Sequence, residues 1–77
     1  MERQTFDATI AAYVNREPFV PFTVTLLHGG RIEVDHARAV NHRNGTAVYI
    51  APAGVPHIFD YHGVMRIVGD IADSPAD

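Results

Sequence analysis

Two dipeptides, Gly29-Gly30 and Asn44-Gly45, each stand between short runs of β-branched and apolar residues, and this punctuation most constrains the fold. Asn-Gly and Gly-Gly accept the positive φ angles of tight hairpin turns, which other residue pairs adopt only at a cost. Before Gly29, the run Phe22 to His28 puts Phe22, Val24 and Leu26 on one face and Thr23, Thr25 and Leu27 on the other. After Gly30, Arg31 to Asp35 alternates with Ile32 and Val34 inward. A strand over Arg38 to His42 is returned by Asn44-Gly45 into Thr46 to Ala51, where Thr46, Val48 and Ile50 share a face. Ala51-Pro52-Ala53-Gly54-Val55-Pro56 reads as a loop. Strands over His57 to Asp60 and Val64 to Val68 then flank a tight corner at Tyr61-His62-Gly63.

Upstream, the pattern has a different period. Phe6, Ile10, Tyr13 and Val14 recur at i, i+4, i+7 and i+8, which places them on one stripe of a helix from about Thr5 to Arg16. Thr5 reads as its N-cap, Asp7 lies in its first turn and Pro18 stops it. Pro18-Phe19-Val20-Pro21 is then a stiff extended connector. The expected class is α+β: an N-terminal helix and about five short antiparallel strands, closed into a small barrel. The alternative is an open antiparallel sheet covered by the helix. Barrel closure is favoured because it removes exposed strand edges, and the Tyr61-His62-Gly63 corner implies strong bending. The expected organisation is one domain over residues 1–69 and an acidic flexible tail over 70–77.

A chain of 77 residues buries only about 60–65% of its unfolded surface. Domains of this size usually lean on disulfides, metals or self-association, and the sequence has no cysteine. A homo-oligomer is therefore expected, with Phe19, Tyr49, Phe59 and Tyr61 as candidate contact residues. The first residues carry acids and no apolar run, so neither a signal nor a transit peptide is read there. With no stretch near the ~20 apolar residues of a membrane span, the expected location is the cytoplasm and no membrane partner is expected.

Charge narrows the partners. Glu2, Asp7, Glu17, Glu33, Asp35 and Asp60 balance Arg3, Arg16, Arg31, Arg38, Arg43 and Arg66, so residues 1–69 are neutral and the excess of acid falls on Asp70, Asp73 and Asp77. There is no lysine, and the arginines are scattered. Schiff-base chemistry is excluded, and a polyanion-binding stripe is not evident.

Catalytic sets are similarly thin. Ser74 is the only serine and no cysteine is present, so a hydrolytic nucleophile is lacking beside Asp35-His36 or Asp60-Tyr61-His62. Every glycine follows the only expected helix, which removes a phosphate cradle. Among five histidines, His57, Asp60 and His62 form the one weak metal-ligand candidate. Residues 57 and 60 have opposite strand parity, which argues against a shared ion. The expected function is a non-enzymatic binding or assembly module without a cofactor; a His-dependent metal-binding or enzymatic site is a further alternative, and any small-molecule ligand is left open.

The run Val20-Pro21-Phe22-Thr23-Val24-Thr25-Leu26-Leu27-His28-Gly29, the preceding helix and the closing Phe59-Asp60-Tyr61-His62-Gly63-Val64 resemble the bacterial Sm-like (Hfq) family of RNA-binding ring proteins. His62 matches that family's closing histidine, while Asp60 and Tyr61 replace its tyrosine and lysine. The resemblance implies a ring-forming Sm-like or SH3-like small barrel and RNA contacts at His62, Tyr61 and Arg66. RNA affinity should be weak for want of cationic residues. Pro18-Phe19-Val20-Pro21-Phe22-Thr23 with Gly30-Arg31 also resembles a segment of small uncharacterised bacterial proteins, which implies no particular activity.

Overall fold

The computed structural model describes residues 1–69; the tail expected over 70–77 lies outside them. Helix α1 spans Arg3–Val14 and is followed by six strands. These are β1 (Phe22–Leu26), β2 (Arg31–Val34), β3 (Val40–Arg43), β4 (Thr46–Ile50), β5 (Pro56–Asp60) and β6 (Val64–Gly69).

The helix starts two residues before the expected Thr5. Glu2 stands at the N-cap and Thr5 lies inside the first turn, where its hydroxyl donates to the Glu2 carboxylate at 2.8 Å. At the other end, Asn15 closes the helix with its N–H on the Ala11 carbonyl, three residues ahead of Pro18. Phe6 and Ile10 are fully buried, and Tyr13 and Val14 pack against the core at its margin. The helix reaches both sheets. Phe6 meets the Phe59 ring edge-on at 6.0 Å, while Tyr13 stacks on Phe22 at 5.0 Å.

The barrel expected from the sequence is not closed. Among the described residues the strands form two three-stranded antiparallel sheets, β2-β1-β6 and β3-β4-β5. The ladder breaks where the chain turns hardest. A single 3-10 turn, Ala37–Ala39, separates β2 from β3, and the Tyr61-His62-Gly63 corner separates β5 from β6. Strands β2, β6, β3 and β5 are consequently sheet edges. Between the sheets lies one core of Phe6, Ile10, Phe22, Val24, Ile32, Val34, Val40, Ala47, Tyr49, Phe59 and Val64.

Both hairpins form, but only Asn44-Gly45 makes the expected two-residue turn. Asn44 (φ 50°) and Gly45 (φ 84°) make a two-residue turn that pairs Arg43 with Thr46. The first hairpin instead has a three-residue loop, Leu27-His28-Gly29, with Thr25 opposite Arg31 and the Leu26 N–H on the Gly30 carbonyl at 2.8 Å. Only Gly29 takes a positive φ, 101°. Strand β1 therefore ends at Leu26, and Leu27 is left 64% exposed. The register with β6 shifts between Thr25 and Leu26, whose partners Arg66 and Val64 leave Met65 as an extra residue in β6.

Candidate functional site

Strand β4 is apolar on both faces, and this decides where a site can lie. Ala47 and Tyr49 point into the core, whereas Thr46, Val48 and Ile50 point outward. The face shared by Thr46, Val48 and Ile50 is thus the outer one. Their cross-strand partners continue it: Asn41, Val48 and Ile58 form one row, and Arg43, Thr46 and Asp60 form the next. Ile50 pairs with Pro56, beside Val55. The sheet β3-β4-β5 accordingly turns apolar side chains away from the core, with Ile58 71% exposed and Ile50 42%.

The face has relief. Asn41, His42, Arg43, Thr46 and Val48 line a shallow hollow of about 350 Å³ on its β3 side. On its β5 side Ile58 stands proud. A second hollow of about 250 Å³ lies beyond β5, between Ile58, Phe59 and Asp60 and the first hairpin's Leu26 and His28. Its polar groups are engaged locally. The Asp60 carboxylate accepts the Gly63 N–H at 3.2 Å, and His28 Nδ1 accepts the Gly30 N–H at 3.2 Å.

The residues singled out from sequence fall in separate places. Tyr49 and Phe59, offered as contact residues, are buried in the core, so their surface is already covered within one chain. Burial of Tyr49 is completed by its hydroxyl, which accepts the Asp35 N–H at 3.4 Å. Phe19 is half-buried against Phe22, with ring centroids 6.2 Å apart. Tyr61 is half-buried and packs on the core, and the exposed His62 ring lies against it at 4.0 Å. Arg66 is exposed on the other sheet, opposite Thr25. His57 stacks on Tyr49 at 6.2 Å from the inner side of β5, while Asp60 points outward and His62 sits in the turn. Among the described residues no group of three or more His, Asp or Glu side chains converges in a way that could hold a metal ion.

Sequence reasoning passed over Ile58, Val48 and Arg43. The available signal was Thr46-Ala47-Val48-Tyr49-Ile50, whose apolar residues occupy both parities, as in strands covered on both sides. Among the described residues no helix is long and apolar enough to cross a membrane. Compared with protein-family models, curated proteins and solved structures, the chain matches none.

Proposed function

We propose that this chain is a non-enzymatic assembly module that self-associates through the outer face of the β3-β4-β5 sheet. The observation that carries the reading is the 71% exposure of Ile58, at the centre of an edge strand and in a row with Val48. Contiguous exposed apolar surface on a small domain marks an interaction site more often than idle surface. A domain with so small a core gains from such a contact the burial that its length denies it.

The test is native mass across a concentration series, with Ile58→Glu beside the wild type. Self-association that rises with concentration in the wild type and is lost in Ile58→Glu supports the reading. A wild type that stays monomeric into the high micromolar range contradicts it.

A second reading makes the chain an Sm-like RNA-binding protein. It is favoured by the return of β6 to pair with β1 beside β2, and by the exposed His62 ring beside Tyr61. Base stacking on such rings contributes about 1–3 kcal/mol per base. Titration with uridine- and adenosine-rich RNA at two salt concentrations tests it.

A further inference from the structure

The outer face of β3-β4-β5 is self-complementary under one particular two-fold rotation, and on the self-association reading above we infer that the partner is a second copy packed face to face with its two-fold axis along β4. Two independent features select that axis. The first is charge. Arg43, Thr46 and Asp60 lie in one row across the three strands, all exposed, with opposite charges at its two ends. Within one chain the Asp60 carboxylate is held by the Gly63 N–H at 3.2 Å rather than by Arg43.

Rotation about β4 exchanges the two edge strands and keeps each row at its own height. Arg43 of each copy then faces Asp60 of the other, twice per dimer. Rotation about the perpendicular in-plane axis inverts the rows, which sets Asp60 over Pro56 and Arg43 over Ala39 and leaves all four charges unpaired.

Shape is the second feature. The axis along β4 brings the protruding Ile58 over the copy's Asn41, at the hollow lined by Asn41, Arg43, Thr46 and Val48. Val48 meets Val48 and Ile50 meets Ile50 at the axis. One edge supplies the knob and the other the recess, as an isologous contact requires.

The face sets the strength of the contact. Strands of four, five and five residues cover roughly 14 Å by 17 Å. This is well under the about 800 Å² per partner of standard stable interfaces. The contact is therefore a weak one, populated at high micromolar concentration.

Charge reversal tests the axis. Arg43→Asp leaves only acids at both ends of the row and Asp60→Arg only arginines, so each variant alone should dimerise about tenfold more weakly than wild type. Mixed one to one, the two should form a heterodimer as tight as the wild-type dimer, and the double variant should recover homodimers. Arg43→Lys, which keeps the charge and leaves the Asp60 turn intact, should dimerise as wild type does. Sedimentation velocity reads all of these. Single reversals that dimerise as wild type, or a mixture that gains nothing, would overturn the inference while leaving self-association standing. A wild type that is monomeric throughout would overturn both.

Discussion

The Asp7 carboxylate accepts the Gly45 N–H at 2.8 Å, which ties the helix to the β3–β4 turn across 38 residues of sequence. The same glycine accepts the Tyr61 N–H on its carbonyl at 2.9 Å. A Cβ added there would stand 2.7 Å from the Tyr61 ring and 2.9 Å from the Arg3 side chain. Helix, hairpin and β5–β6 corner therefore meet at one residue that only glycine fits. Nearby, the Met1 amine donates to the Tyr61 and Val64 carbonyls, both at 3.0 Å, and fastens the helix to the same corner.

Gly45→Ala should therefore be costly for so small a change. A side chain at positive φ costs about 1–2 kcal/mol and crowding a packed site about 1–3 more. Asp7→Ala should cost about 1.5–3 kcal/mol by removing a charged acceptor. Asp7→Asn, which keeps an acceptor oxygen, should cost less. Thermal unfolding checks the order, and the double variant should be less damaging than the sum because both act on one contact.

The register of β1 predicts a second contrast. Val24 is fully buried and Thr25 faces outward, paired with Arg31 and Arg66. Val24→Asp should unfold the protein, since it buries an unpaired charge in a domain of small total stability. Thr25→Asp should melt within a few degrees of wild type. Equal losses would mean that the strand's faces are exchanged.

These contrasts also mark how far the sequence could be read. The helix stripe of Phe6 and Ile10, the Asn44-Gly45 turn and the inward Ile32 and Val34 were legible because one local pattern governs each. The ends of the helix were not, since the helix begins at Arg3 with Glu2 at the N-cap, and Thr5 falls inside the first turn. Nor was the break between β2 and β3, which depends on a 3-10 turn held partly by Tyr49, fourteen residues from Asp35. The candidate site suffered most. Tyr49 and Phe59 drew attention as large aromatics, yet large aromatics fill cores, and the surface was left to Ile58, Val48 and Arg43.

Metal should not stabilise the fold. His57 lies on the inner side of β5, Asp60 on the outer, and His62 in the turn beyond. A native-state ligand at 100 times its dissociation constant adds about 2.7 kcal/mol. Zinc or nickel at tens of micromolar should leave the melting temperature of wild type unchanged. A clear rise that vanishes in His57→Ala or His62→Ala would contradict the placement.

RNA binding should be weak and sensitive to salt. Phosphate contacts supply much of such affinity, and Arg66 stands on a different sheet from the corner that carries Tyr61 and His62. Uridine- or adenosine-rich RNA should bind no tighter than tens of micromolar at physiological salt. Submicromolar binding there, lost in His62→Ala, would favour the RNA reading over the assembly one.

The most direct measurement for the assembly account is a dilution series followed by the amide resonances of the isotope-labelled protein. Dilution through the micromolar range should shift the signals of Asn41, Val48, Ile50 and Ile58, on the outer face of β3-β4-β5. Those of Thr23, Thr25 and Glu33, on the outer face of the other sheet, should stay in place. Signals that do not move with concentration on either face, or shifts confined to the β2-β1-β6 sheet, would contradict the account.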